Sequence, residues 1–239
     1  QVVFSDDMIP PLASVLVNRL TGSRTIITRK MQTPPSLTYE QKLKLDDLAE
    51  RLIASEEPVT ILIDGHEAEI SEYLIKKLPN ARVVMDGGSL RASNIKLAAW
   101  TDYFVVSEHF ARDYMSYRSL STEAEIKAAL IELNKICRGE AFITLGEKGC
   151  AFLKSGMLQI VPSWLCNAVD TTGAGDVFHG AFTYGVHYSW HIDNIILFAS
   201  LTAAISIEKK GVRESMPDLA VVHHSLNSYE RNLTQYFEE

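Results

Sequence analysis

The sequence predicts an α/β fold in which a mainly parallel sheet carries helices on both faces and a small β-hairpin lid element precedes it. Short β-branched or apolar runs alternate with helix-like segments from residue 38 to residue 145, which is the order of βαβ units. Right-handed crossovers between parallel strands place helices on both faces of such a sheet. The 239 residues are enough for one domain of this kind and a small appendage.

The predicted hairpin comes first. Val15–Asn18 and Thr25–Thr28 are short runs with β-branched residues, and Thr21-Gly22 between them is a turn signal. We therefore expect a hairpin lid region over residues 1–32 and an α/β domain over residues 33–239. Because the chain begins with Gln rather than Met, we also expect the amino-terminal part of the full fold to be missing from it.

The α/β domain opens with a predicted helix. Thr38 and Gln41 have the spacing of a capping box, in which each residue caps the other. The stripe that follows recurs at helical intervals and comprises Leu43, Leu45, Leu48, Leu52 and Ile53. These residues predict an amphipathic helix that packs against the sheet.

Four buried strands are predicted after this helix, over residues 59–63, 82–85, 103–106 and 141–145. Helices are expected between them, over residues 67–77, 108–116 and 122–137. Ligands bind beyond the carboxyl ends of the strands in sheets of this kind. Four residues lie at those ends and are candidates for a site, namely Asp64, Asp86, Ser107 and Gly146.

Charge and composition narrow the class of protein. The net charge of −7 argues against general nucleic-acid binding, which needs a basic face. No apolar run approaches the roughly 18 residues that a membrane helix needs. The three cysteines lack close metal-ligand spacing and predict reduced thiols, so we expect a cytoplasmic protein. Neither Gly-x-Gly-x-x-Gly nor a P-loop motif occurs, which disfavours a dehydrogenase or P-loop ATPase.

Residues 170–182, Asp-Thr-Thr-Gly-Ala-Gly-Asp-Val-Phe-His-Gly-Ala-Phe, carry the strongest chemical signal. Gly173 and Gly175 allow a tight turn and close approach of a ligand. The spacing of the apolar residues predicts the buried face of a helix that starts at this turn, and these residues are Val177, Phe178, Ala181 and Phe182. Free amides at a helix start bind anions such as a transferring phosphoryl group. Asp176 lies beside them and can accept a proton. A glycine-rich turn whose Asp only caps the helix is the alternative.

This segment resembles the carboxyl-terminal signature of the PfkB/ribokinase-like carbohydrate kinases. The match extends over thirteen residues and is more specific than a short glycine motif. The resemblance implies a ribokinase-like fold and phosphoryl transfer from ATP. It also implies that Asp176 is the catalytic base and that the backbone of Gly173, Ala174 and Gly175 forms the anion hole.

Two further segments follow the order of that family. Ile143–Gly149 is similar to its nucleotide loop, which implies that Thr144, Gly146 and Gly149 lie near the ATP phosphates or ribose. Taken alone, this stretch reads equally well as a strand-turn-strand hairpin.

Residues 203–217 resemble the family's alanine-rich helix and the loop that flanks the adenine. By this resemblance Gly211 lines the nucleotide site, while Asp170, Thr172 and Ser215 help to hold a metal ion, in particular a monovalent cation such as K⁺. Read without the family, the segment is a helix that stops at a glycine.

One segment departs from the family. An Asn-x-x-Glu motif that assists Mg²⁺ often follows the third strand, whereas this chain has Ser107-Glu108-His109-Phe110. Ketohexokinase-like members also lose this motif, so its absence does not imply loss of activity. Glu108 is a candidate helper for Mg²⁺, and a solvated glutamate at a helix start is the alternative.

The resemblance therefore implies an ATP- and Mg²⁺-dependent kinase of a small sugar, with ketose-type sugars as one interpretation. It also implies that the hairpin covers the substrate and contributes to a homodimer. Two alternatives stay open. The acceptor can be a nucleoside or vitamin precursor, or the chain can be a non-catalytic nucleotide-binding regulatory module. No nucleic-acid or membrane partner is expected.

Overall fold

The computed structural model describes residues 13–17, 24–28 and 36–227. Strands β1 (Ala13–Val17) and β2 (Arg24–Thr28) pair antiparallel, so the two strands of the predicted hairpin are present. The rest of the predicted lid region 1–32, including its turn, lies outside the described residues.

A six-stranded sheet forms the centre of the α/β domain. Its strands are β3 (Thr60–Ile63), β4 (Arg82–Gly87), β5 (Tyr103–Ser107), β6 (Glu140–Thr144), β7 (Cys150–Lys154) and β8 (Met157–Val161), in that spatial order. The first four are parallel, and β7 and β8 continue the sheet antiparallel. This confirms the predicted fold class. The strand-turn-strand alternative for residues 143–149 matches the β6–β7 connection, whereas β8 was not predicted.

The described helices surround this sheet. They are α1 (Tyr39–Ala54), α2 (Ala68–Lys77), α3 (Ala92–Ala98), α4 (Glu108–Tyr114), α5 (Glu123–Asn134), α6 (Ala174–His187) and α7 (Ile192–Ser206). The capping box of α1 is formed, since the Gln41 amide donates to Thr38 Oγ1 at 3.2 Å and the Thr38 amide donates to Gln41 Oε1 at 2.9 Å. Within the described ranges, no helix is long and apolar enough to cross a membrane.

The two faces of the sheet carry separate apolar cores. On one face α2, α3, α4 and α5 cover a cluster that includes Met85 and Phe104. On the other face α6 and α7 cover a cluster that includes Val84 and Phe142. Successive side chains of a strand point to opposite faces, so the neighbours Val84 and Met85 enter different cores. Both are fully buried, as expected for a parallel strand covered by helices on each side.

The long axis of α6 runs antiparallel to the neighbouring strands. Arg82 at the start of β4 donates from Nη1 to the Val186 carbonyl near the end of α6, at 2.5 Å. Asp86 near the end of β4 contacts His179 near the start of α6. The amino end of α6 therefore lies at the edge where the parallel strands end, which is where ligands bind in such sheets.

Candidate active site

A glycine in the left-handed backbone conformation lies at the start of α6. Gly173 is its N-cap and has φ +77° and ψ +3°, a conformation that costs little only without a side chain. A Cβ at this position would lie 2.6 Å from Val212 Cγ1, which is closer than packed carbon atoms approach. Both conformation and packing therefore require glycine here, and the backbone turns sharply into the helix.

The first turn of α6 leaves amides free to bind a ligand. The Ala174 amide donates weakly to the Thr171 carbonyl at 3.3 Å, and the Val177 amide donates to the Gly173 carbonyl at 2.9 Å. Within the described part of the chain, the intervening amides of Gly175 and Asp176 have no backbone acceptor. Such amides, with the positive end of the helix dipole, attract an anion.

Two cavities meet this turn. Asp176 lines a cavity of about 410 Å³, together with the carboxylates of Asp64, Glu67 and Asp86. Ala174 and Gly175 line a second cavity of about 750 Å³. The side chain of Asp176 is exposed and forms no ion pair with any described residue. One helical turn thus presents a carboxylate to one cavity and backbone to the other.

The smaller cavity is strongly acidic at the ends of β3 and β4. Burial raises the pKa of Asp86, the nearby charges of Asp176 and Asp64 raise it further, and the His179 ring and the Gly88 amide oppose this. The predicted strand-end candidates Asp64 and Asp86 therefore both lie in this cavity. Carboxylate oxygens accept hydrogen bonds and are suited to hydroxyl groups.

His179 connects α6 to two central strands. Its Nδ1 lies 2.7 Å from the Gly175 carbonyl and 3.2 Å from Asp86 Oδ2, and its Nε2 lies 3.1 Å from the Val105 carbonyl. The side chain is 4% exposed. His179 lies within the motif of residues 170–182, but no role was predicted for it, because its partners Asp86 and Val105 are distant in sequence.

The predicted nucleotide loop lines the larger cavity. Thr144, at the end of β6, Gly146 and Gly149 all contribute to its wall. Gly149 has φ +102°, and a Cβ there would lie 1.9 Å from the Val161 carbonyl oxygen. The tight connection between β6 and β7 therefore needs glycine, and it brings the loop backbone beside the first turn of α6.

Apolar side chains form the far wall of the larger cavity, and these were missed in the sequence. Trp164 and Leu165 line it from the segment after β8, and Ala203 and Ile207 line it from α7 and its end. The Trp164 Nε1 donates to the Leu197 carbonyl at 3.1 Å, which fixes the ring. Apolar and aromatic side chains of this kind can pack against a planar aromatic group.

Glu108 also lines the larger cavity. It lies in the first turn of α4, whose N-cap Ser107 accepts from the Phe110 amide and donates to the Gly88 carbonyl, each at 3.0 Å. The carboxylate of Glu108 therefore faces the same space as the nucleotide loop, despite its shift relative to the family motif.

The remaining predicted residues lie behind the start of α6. Asp170 accepts from the Thr172 amide at 3.0 Å and from the Gly211 amide at 3.3 Å. Ser215 is buried and donates to the Val212 carbonyl at 3.3 Å. None of these four lines either cavity wall. Among the described residues, no group of three or more His, Cys, Asp or Glu side chains is arranged to hold a metal ion.

Ribokinases are among the solved structures that resemble this chain. The ribokinase of Giardia lamblia superposes with a TM-score of 0.78 at 20% identity, over 94% of this chain and 73% of that one. The Arabidopsis thaliana ribokinase complexed with ribose and ATP superposes with a TM-score of 0.70 at 20% identity, over 91% and 69%. At these identities the likeness establishes the fold.

Sequence comparison establishes the family. The ribokinase of Lactococcus lactis is 29% identical over 189 residues, which are 79% of this chain and 60% of that protein. This chain thus spans about 60% of the length of that relative. Residues 88–219, more than half of the chain, match the pfkB family carbohydrate kinases. The chain belongs to the pfkB family of carbohydrate kinases.

Proposed function

We propose that the protein transfers the γ-phosphoryl group of ATP to a hydroxyl group of a small sugar or related polyol. The observation that carries this proposal is the position of one helical turn between two cavities. Asp176 faces the acidic cavity and Gly175 faces the larger one. Acceptor and nucleotide can therefore occupy separate spaces and meet at this turn, as an in-line displacement requires.

Asp176 is the general base in this mechanism. The acceptor hydroxyl oxygen forms a bond to the γ-phosphorus while its proton moves to the Asp176 carboxylate. The bond between the γ-phosphorus and the bridging oxygen breaks, and ADP leaves with that oxygen. The carboxylate is exposed and forms no ion pair among the described residues, so it is available for the proton.

The backbone of Gly173, Ala174 and Gly175 stabilises the charge that develops on the transferring group. Amides held by a helix start need little reorganisation when the reaction proceeds, which is the source of their catalytic effect. Thr144, Gly146 and Gly149 bind the remaining phosphates or the ribose from the opposite wall of the larger cavity. The apolar wall that includes Trp164 contacts the adenine ring of ATP.

Mg²⁺ is the expected partner of the nucleotide phosphates. Oxygen ligands suit this ion, and Glu108 supplies a carboxylate on the wall of the nucleotide cavity. When bound, Mg²⁺ neutralises part of the phosphate charge. Asp170, Thr172 and Ser215 remain the proposed residues for a monovalent cation such as K⁺, because the Asp170 carboxylate lies between the segment before α6 and the loop after α7.

The family and the acidic cavity support a sugar or related polyol as the acceptor. Carboxylates at the ends of β3 and β4 can accept hydrogen bonds from several hydroxyl groups of one sugar.

A lid role for the hairpin and a homodimer stay predictions. All three cysteines are unpaired in the described chain, which supports a reducing, cytoplasmic compartment.

A substrate panel tests the proposal. Purified protein is incubated with MgATP and a set of aldoses, ketoses, nucleosides and vitamin precursors, and ADP formation and the phosphorylated product are measured. We expect saturable turnover with at least one sugar. Turnover with nucleosides only would favour the alternative acceptor. ATP binding without phosphorylation of any hydroxyl compound would indicate a non-catalytic nucleotide-binding module and contradict the proposal.

A further inference from the structure

A buried polar contact fixes the first turn of α6 to the sheet. The His179 ring lies one turn into the helix and contacts Gly175 on its own helix, Asp86 on β4 and Val105 on β5. The ring is almost fully buried and the Asp86 side chain is 17% exposed. Water therefore competes little for these contacts, and their geometry is well defined.

The ring contacts hydrogen-bonding groups on three elements. The Gly175 and Val105 carbonyls accept only, and they face different ring nitrogens. The Asp86 carboxyl lies 3.2 Å from Nδ1, the nitrogen that also faces the Gly175 carbonyl. The other charged groups that line this cavity are Asp64, Glu67 and Asp176, all carboxylates. Both nitrogens of the ring therefore take part in polar contacts that join the first turn of α6 to two strands.

The Gly175 carbonyl shares its peptide unit with the free amide of Asp176, and the free amide of Gly175 belongs to the unit before it. A contact of 2.7 Å between His179 and this carbonyl restrains the orientation of the peptide plane that carries the Asp176 amide. Contacts with Asp86 on β4 and with Val105 on β5 hold the ring in turn. The chain of contacts runs from β4 and β5 through the ring to the backbone that faces the nucleotide cavity.

We propose that His179, in contact with Asp86, is a positioning residue that holds the first turn of α6 in the orientation that phosphoryl transfer requires. This inference rests on the proposed function of the same turn. His179 acts through the backbone of Gly175 and through Asp86, and takes no proton from the acceptor. Loss of the contact should lower the rate of the chemical step more than it lowers nucleotide affinity.

Two substitutions separate the two sides of the ring. The amide nitrogen of Asn lies near the position of Nδ1, whereas that of Gln lies near the position of Nε2. His179→Asn can therefore still donate towards Gly175 and Asp86, and His179→Gln keeps a donor towards Val105. We expect kcat to fall by about tenfold to a hundredfold in His179→Gln, by less in His179→Asn, and ATP affinity to change by less than about threefold in both.

Thr183→Val is the matched control. Thr183 lies one turn further along α6, and its Oγ1 donates to the His179 carbonyl at 2.7 Å. This substitution removes a hydrogen bond of the same helix without touching the ring contacts, and we expect an unchanged kcat. Equal loss of kcat in the Asn and Gln variants, or a loss of ATP affinity as large as that of kcat, would overturn the proposal.

A readout without activity separates this proposal from the proposed function. The Val177 amide donates to the Gly173 carbonyl and closes the first turn, so its hydrogen exchange reports how well that turn is held. We expect faster exchange in His179→Gln than in wild type or Thr183→Val. If the Gln variant does not fold, Asp86→Asn carries the same measurement.

Unchanged exchange in these variants would overturn the positioning role. If the wild-type protein phosphorylates no compound, the proposed function fails, and the exchange measurement alone decides whether His179 holds the turn.

Discussion

The two ends of α6 differ in almost every physical property. Its amino end has a glycine with positive φ, the exposed Asp176 and amides that find no backbone acceptor among the described residues. Two turns later Phe182 is fully buried, and the carboxyl end is held by Arg82 through the Val186 carbonyl. The difference indicates that the buried half of the helix provides the stability that allows the other end to keep reactive groups unsatisfied. Substitutions at the amino end should therefore change turnover, and those in the buried half should change stability.

The largest expected effect is that of Asp176→Asn. Removal of a general base typically lowers turnover by about 10² to 10⁴-fold. Because the side chain is exposed, the free energy of unfolding should change by less than about 0.5 kcal/mol, and ATP binding should persist. Steady-state kinetics, thermal unfolding and ATP titration measure the three quantities.

Asp193→Asn is the control for this variant. Asp193 also lies in the first turn of a helix, α7, and its side chain is half exposed beside Lys154. It lines neither cavity, so turnover should be unchanged. Near-normal turnover in Asp176→Asn would refute the assignment of the base.

Phe182→Ala tests the buried half of α6. Truncation of a fully buried phenylalanine that packs against Phe142 typically costs about 3–5 kcal/mol of the free energy of unfolding. The kcat of the fraction that remains folded should change by only a fewfold, because the reactive groups lie at the other end. Chemical denaturation together with active-site titration separates these effects. A stable variant with lost turnover would contradict the proposed division of the helix.

Gly173→Ala strains the amino end directly. Alanine at φ +77° costs about 1–2 kcal/mol, and its Cβ would overlap Val212 Cγ1, so that either the helix start or the Val212 side chain must shift. We expect a small loss in stability and at least a tenfold loss in turnover, since the anion hole moves. If stability falls but turnover does not, Gly173 is a structural turn residue only.

Gly180→Ala gives the smallest expected effect and sharpens the comparison. Gly180 is exposed within α6, and a Cβ there would meet no heavy atom within 4 Å. Alanine in a helix interior is more favourable than glycine by about 0.5–1 kcal/mol, so stability should rise by this amount with unchanged turnover. A measurable loss in turnover would mean that chemistry depends on α6 well beyond its first turn.

Local signals in the sequence predicted the local features of the fold and of the site. The capping box of Thr38 and Gln41 and the glycine-started helix at Gly173 depend on neighbouring residues, and both are present. The helix face with Phe182 is buried as its spacing predicted. Asp86 lines a cavity because it lies at the carboxyl end of a buried parallel strand, which is also a local property.

Long-range features were not predictable in this way. The contact between His179 and Asp86 joins residues on different elements, and no local pattern specifies it. The wall formed by Trp164 and Leu165 comes from an irregular segment without periodicity. The antiparallel strand β8 is partly exposed at the sheet edge and lacks the apolar run of a buried strand. The Gly211 amide donates to the Asp170 carboxylate, a contact between residues 41 positions apart that only the fold reveals.

The most direct test of the account is a crystal structure of the protein with a non-hydrolysable ATP analogue and an accepted sugar. We predict γ-phosphate oxygens within about 2.7–3.1 Å of amide nitrogens in the proposed anion hole of Gly173, Ala174 and Gly175, with the free amide of Gly175 among them. One sugar hydroxyl should lie about 2.6–3.2 Å from the Asp176 carboxylate. A γ-phosphate bound away from the start of α6, or an Asp176 carboxylate that faces no hydroxyl group, would contradict it.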